Sequence, residues 1–108
     1  MSCVDLKELA RLLDGLAHEV RLRIVALLFK HGEMYLSEIA SKLGLSRALA
    51  KVHLKKLEAS GIVESVTRLE AGKAQARRYY RLKWRGELVL SPRDIARLVE
   101  CSTHGGES

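Results

Sequence analysis

LSEIASKLGLSRALAKVHLKKLEASGIV, residues 36–63, decides the fold. Two helix-forming runs meet at a single break. Ser37 is placed to cap the first, SEIASKL, whose Ile39, Ala40 and Leu43 recur at helical spacing. Gly44 stops it, because glycine takes the left-handed conformation that ends a helix. Leu45 is expected as a buried link, and Ser46 caps the second run. There Ala50, Leu54 and Leu57 stand at i, i+4 and i+7, and Ala59-Ser60-Gly61 closes the helix. Two short helices on a tight glycine turn are a helix-turn-helix, expected over about 37–60.

The second helix is basic. It carries Arg47, Lys51, Lys55 and Lys56 against one acid, Glu58. The chain's net charge of +6 is localised in the same way. Residues 1–45 hold six Lys/Arg and six Asp/Glu, residues 46–85 hold eleven against three, and residues 86–108 hold two against four. The whole excess lies in one central segment, the electrostatic footprint of a polyanionic partner.

Outward from the helix, residues 62–69 are β-rich, 70–73 have turn composition, and 76–83 form a return strand. Tyr80 and Leu82 alternate with Tyr79 and Arg81, which gives the strand one apolar and one basic face. A basic two-stranded hairpin directly after a helix-turn-helix is a wing. The expected fold is mainly α with a small β-hairpin wing (α+β), a winged helix-turn-helix in one domain, with the wing at about 62–83.

The helix can then be read by face. With Ala50, Leu54 and Leu57 inward, Arg47, Ala48, Lys51, Val52 and Lys55 point away from the core. Arg47, Lys51 and Lys55 form one row. This suits the major groove of double-stranded DNA, where the start of a recognition helix reaches base edges. Arg47 fits a guanine edge, and Lys51 a base or a phosphate. Ala48 and Val52 suit close approach or thymine methyls. Lys55 and Lys56 suit phosphates. Ser46, at the helix start, belongs to the same surface. In the wing, Lys73, Arg77 and Arg78 cluster near the tip with Arg68 opposite, placed for phosphates or the minor groove. Arg81 and Lys83 lie further from the tip.

Both ends of the chain are helical. Asp5 caps a first helix with Glu8 as a capping-box partner, and Leu6, Leu9, Leu13 and Leu16 form its stripe up to a break near Gly15. A second helix runs over about 19–30, ended by His31-Gly32, and 34–36 is a short extended piece. After an extended connection at 84–90, Ser91, Pro92 and Asp94 start a last helix over about 92–101, with Ile95, Leu98 and Val99 on one face. Residues 102–108 are expected to be a flexible tail.

Composition bounds the rest. With 47% apolar but only 5% aromatic residues, the core must be aliphatic. The longest apolar run, 24–29, is far too short to span a bilayer, and the N-terminus lacks a signal-peptide pattern, so a cytoplasmic protein without membrane contact is expected. The absence of Asn, a single Gln and 30% charged residues point to a thermophile. No Ser/His/Asp set, paired carboxylates or phosphate-cradling glycine loop stands out, so an enzyme is not expected. Nor is any cofactor.

Three stretches, LAHEVRLRIVALL, LSEIASKLGLSRALAKVHLKKLEASGIVE and EAGKAQARRYYRL, resemble the bacterial and archaeal ArsR-type winged-helix repressors. The resemblance covers about residues 12–83 and is most specific in LS-x6-HLKKLE-x-x-G-I-V, with His53-Leu54 matching the family's His-Leu pair. It implies a homodimeric transcriptional repressor on a two-fold symmetric operator, with an interface built from the first and last helices. The Leu6, Leu9, Leu13, Leu16 stripe and the Ile95, Leu98, Val99 stripe can supply that interface.

The chain departs from the family in lacking the Cys-x-Cys-type metal-sensing pair. Asp94, Glu100, Cys101 and His104 match no standard site, so no metal is expected. Cys3 and Cys101 lie on the two helices assigned to the interface. They are either unlinked thiols or a disulfide, structural or redox-responsive. His53 reads as a structural, half-buried residue, and His18 and His31 as surface residues. The residues name no effector. Two other readings share the fold: an architectural, nonspecific nucleic-acid binder, and a protein-interaction module. The central basic block argues against the module.

Overall fold

The computed structural model describes residues 5–69, 71–72 and 76–106, with side chains as far as Cys101. Elements follow in the order α1 (Leu6–Leu16), α2 (Glu19–His31), β1 (Glu33–Tyr35), α3 (Leu36–Leu43), α4 (Arg47–Ala59), β2 (Val63–Leu69), β3 (Ala76–Leu82) and α5 (Pro92–Gly106). Among the described residues, five helices and a small antiparallel sheet make a winged helix-turn-helix, mainly α as expected.

Each helix start has a local cause. Asp5 Oδ1 accepts the Lys7 N–H at 2.9 Å and opens α1. His18 Nδ1 accepts the Val20 N–H at 3.0 Å and opens α2, so this exposed histidine also has a capping role. Ser46 Oγ accepts the Leu49 N–H at 3.1 Å at the head of α4. Ser37 is not a cap, because α3 begins at Leu36, directly off β1. Glu38 Oε1 instead takes the Tyr35 N–H at 3.1 Å. Gly44 has φ 67° and ψ 33°, left-handed as the turn requires. Leu45, expected to be buried, is half-buried. Gly15 is not a break either. It lies inside the last turn of α1 and is buried, because α1 passes close to the end of α4 there.

The sheet has three strands in the order β1-β3-β2, not the two of a bare hairpin. Met34 pairs with Tyr80, and Ser65 pairs with Tyr80 from the other side. The sequence marks 34–36 only as a short extended piece; in the fold β1 covers the second edge of β3, whose backbone groups would otherwise stay unpaired. One sheet face carries Met34, Val63 and Tyr80 into the core, all at most 3% exposed.

That face meets Ile24 and Leu28 of α2, Ile39 of α3, and Leu54 and Leu57 of α4. Ile62 completes the cluster, with Leu12, Leu16, Val20, Leu43 and Trp84 packed around it. Fully burying each such aliphatic chain contributes roughly 1.5–3 kcal/mol. The core is aliphatic apart from Tyr80.

Ser91 Oγ accepts the Asp94 N–H at 3.1 Å and starts α5. The helix continues to Gly106 instead of ending near 101, since extending an existing helix costs far less than nucleating one. Among the described elements, α5 meets only α1. The molecule is accordingly long, 56 × 26 × 22 Å. Its Cα radius of gyration is 17.0 Å, against about 13 Å for a compact domain of this size.

Candidate nucleic-acid interface

The interface is built on α4. Its inner face is fixed by Ala50, Leu54 and Leu57, each 0% exposed. The helix cannot rotate without breaking the core, so its outer face is fixed as well. Arg47, Ala48, Lys51, Val52 and Lys55 are all exposed, as the pattern predicts. Arg47, Lys51 and Lys55 lie along one side, and Val52 stands among them at 61% exposure.

The first turn of α4 contains no acid, whereas α1, α2, α3 and α5 have Glu8, Glu19, Glu38 and Asp94 in theirs. The positive end of the α4 macrodipole is therefore left uncompensated, and Arg47 adds to it. Ser46 is exposed, with its Oγ occupied as the cap. Lys56 differs from its neighbours. It is ion-paired with Asp14 of α1, which holds the Asp14 carboxyl below the usual carboxylate range, so Lys56 links two helices.

Buried on the same helix, His53 is 6% exposed, deeper than half-buried. Its Nδ1 lies 3.2 Å from Arg21 Nη1, and its ring centroid 4.4 Å from that of His18. Arg21 also donates from Nε to the Gly15 carbonyl at 2.6 Å and from Nη2 to the Asp14 carbonyl at 3.3 Å. One guanidinium therefore ties the end of α1, the body of α2 and α4 together. Burial, then the neighbouring His18 and Arg21, push the His53 pKa down. Sequence spacing gave no sign of this cluster, because its members are far apart in the chain.

In the wing, Arg68 and Arg77 share the outer sheet face, while Arg78 points to the other side and is exposed. Neither outer arginine is idle. Arg68 Nη2 is 2.8 Å from Glu33 Oε2, and the Arg77 guanidinium lies 4.1 Å from the Tyr35 ring centroid. Arg81 sits between Glu64, at 2.8 Å, and Glu33, at 3.5 Å, and these carboxylates raise its pKa. Lys73 lies outside the described residues.

Of the leucines assigned to the interface, Leu16 packs on its own core, beside Leu12, and Leu6, Leu9 and Leu13 are half-buried. Ile95 and Val99 are exposed at 47% and 44%. Leu98 is half-buried and lines a groove of about 840 Å³ between α1, α5 and the 84–90 connection. Cys101 is disulfide-bonded, and Cys3, the other cysteine of the sequence, lies outside the described residues. Among the described residues no three His, Cys, Asp or Glu side chains gather to hold a metal. Among them, too, no helix is long and apolar enough to cross a membrane.

A rigidly seated basic helix, a tight turn before it and a basic hairpin after it define a winged helix-turn-helix DNA-binding protein. A family described as a helix-turn-helix domain matches residues 16–66. The homodimeric winged helix-turn-helix DNA-binding domain Mb0332 of Mycobacterium bovis, described as a possible ArsR-family transcriptional regulator, is 30% identical over 94% of this chain and 81% of that one, with TM-score 0.61. The transcriptional repressor BigR of Xylella fastidiosa is 32% identical over 88% and 82%, with TM-score 0.57. The transcriptional repressor PagR of Bacillus anthracis is 26% identical over 87% and 94%, with TM-score 0.60. No curated protein matches by sequence. The chain belongs to the ArsR-type winged helix-turn-helix regulators.

Proposed function

We propose that the protein is a homodimeric repressor that binds double-stranded DNA sequence-specifically, with α4 in the major groove and the wing on the flanking backbone or minor groove. The observation that carries this reading is the exposed face of α4. Arg47 and Lys51 flank small apolar Ala48 and Val52, a mixture suited to base edges and thymine methyls as well as phosphates. A purely architectural binder needs charge alone. Ser46, Lys55, Arg68, Lys73, Arg77 and Arg78 supply backbone contacts. The dimer uses α1 and α5, through Leu6, Leu9, Leu13, Ile95, Leu98 and Val99. In support, α5 meets only α1 among the described elements, and Ile95 and Val99 are exposed. Cys3 is read as the partner of Cys101, in a bond that joins the two ends of the chain.

Fluorescence anisotropy tests the reading on two labelled duplexes, the DNA upstream of the protein's own gene and a shuffled control, across a salt series. At least about tenfold tighter binding of the upstream duplex at moderate salt is expected of a specific, autoregulatory repressor. Equal binding with equally steep salt slopes would favour the architectural alternative.

A further inference from the structure

The outer face of the sheet carries a chain of alternating charges, Glu64–Arg81–Glu33–Arg68. Arg81 Nε is 2.8 Å from Glu64 Oε2, and its Nη1 is 3.5 Å from Glu33 Oε2. The same Glu33 oxygen is 2.8 Å from Arg68 Nη2. Arg81 is therefore held from two sides, while Arg68 is the terminal member among the described residues. Its side chain is 54% exposed, and it belongs to the second-last residue pair before the wing turn, opposite Arg77. Glu33 is on β1, at the far edge of the sheet, with its side chain 28% exposed.

We infer that Glu33 is a positioning residue that competes with DNA phosphate for Arg68 and so sets how strongly the wing contributes to binding. This rests on the proposed DNA-binding function. A carboxylate and a phosphate offer a guanidinium the same kind of anionic acceptor, and Arg68 cannot serve both in full. The geometry makes the exchange easy. When Arg68 leaves, Glu33 is not stranded, because Arg81 Nη1 is already beside it and can close the 3.5 Å gap. Arg81 stays with the sheet and Arg68 moves. Free protein thus keeps a basic wing tip partly neutralised. The neutralisation is given up where a phosphate lies within reach of Arg68.

The test is a double-mutant cycle with Glu33→Gln, Arg68→Ala and the double variant, with melts of all four proteins to confirm the fold. The readout is anisotropy on a labelled mixed-sequence duplex from about 50 to 200 mM salt, the range in which phosphate contacts dominate. Glu33→Gln should bind severalfold tighter than wild type at the low end. Its log–log salt slope should stay that of wild type, since Arg68 meets the same phosphate in both complexes. The gain should vanish in the Arg68→Ala background. Equal gains in both backgrounds would reduce Glu33 to a distant negative charge and overturn the inference. Weaker binding with a shallower slope would also overturn it, since Glu33 would then be presenting Arg68 to DNA. Should wild type itself bind no duplex, the DNA-binding proposal fails first, and this inference with it.

Discussion

Arg21 of α2 and His53 of α4 meet side chain to side chain, with Nη1 3.2 Å from Nδ1. A guanidinium only donates, so the imidazole nitrogen facing it must accept. His53 is therefore neutral, with its proton on Nε2. The His18 ring packs against it with centroids 4.4 Å apart and planes tilted by 51°, and its Nδ1 accepts the Val20 N–H. His53 does its structural work only while uncharged.

A pH dependence of stability follows. Burial, His18 and Arg21 lower the folded-state pKa of His53 below its ordinary 6.5. Below that ordinary value the unfolded chain binds a proton more readily than the folded one, so stability falls with pH. The contribution is complete above about pH 6.5 and is lost as pH drops through the lower folded-state pKa. Urea titrations at several pH values should show this decline in wild type and a flatter profile in His53→Gln, which keeps an acceptor but does not titrate. Parallel profiles would mean that His53 is not the group responsible.

Gly15 gives a stability prediction of opposite sign to helix propensity. Alanine in a helix is favoured over glycine by about 0.8–1 kcal/mol. Here the added Cβ would stand 2.5 Å from Ser60 Cβ and 2.7 Å from Ile62 Cδ1. Neither neighbour can retreat. Ser60 is held by its hydrogen bond to the Lys56 carbonyl at 2.9 Å, and Ile62 is 0% exposed in the core. Overpacking of this kind costs typically about 1–3 kcal/mol, so Gly15→Ala should lower the urea midpoint despite its better propensity. Part of the loss should return in Gly15→Ala with Ser60→Gly. A raised midpoint in the single variant would show that α1 and the end of α4 are not this close.

These residues also mark what the sequence could reveal. The periodicity of 36–63 foretold the helix-turn-helix and the buried Ala50, Leu54 and Leu57, because a helix core repeats within a few residues. The exposed α4 row was legible as the complement of that face. The Arg21–His18–His53 cluster, the Asp14–Lys56 pair and the third strand were not. Each joins segments that only the tertiary fold brings together. The fit of Gly15 against Ser60 was hidden for the same reason, and a glycine before a loop reads as a break. Arg68 was legible as a wing cation, but its engagement with Glu33 on β1 was not, because β1 was not recognised as part of the sheet.

The apolar face of α5 should be dispensable for the fold and required for the dimer. Ile95 and Val99 are 47% and 44% exposed, and α5 meets only α1 among the described elements. Ile95→Asp with Val99→Asp should therefore keep the far-ultraviolet helical signal and the core transition while the particle mass in light scattering falls to one chain. Binding to a two-half-site duplex should weaken by more than tenfold, because linked half-sites raise effective concentration. An unchanged mass would move the dimer contact elsewhere.

The α4 row makes the most discriminating prediction, because its members are expected to fail differently. Arg47 lies in the first turn, where side chains reach base edges. Arg47→Ala should cost about 1–3 kcal/mol on the preferred duplex and relax discrimination at one base position. Lys55 lies two turns further along, where the proposed docking sets it against the DNA backbone. Lys55→Ala should weaken all duplexes about equally and reduce the salt slope by about one. Neither change should alter the melting transition much, since both side chains are exposed and the buried face of Ala50, Leu54 and Leu57 is untouched. Binding of both variants to a panel of single-base-substituted duplexes, each at several salt concentrations, separates the two. If Arg47→Ala also weakens every duplex alike, α4 reads charge and not sequence, and the protein is an architectural binder.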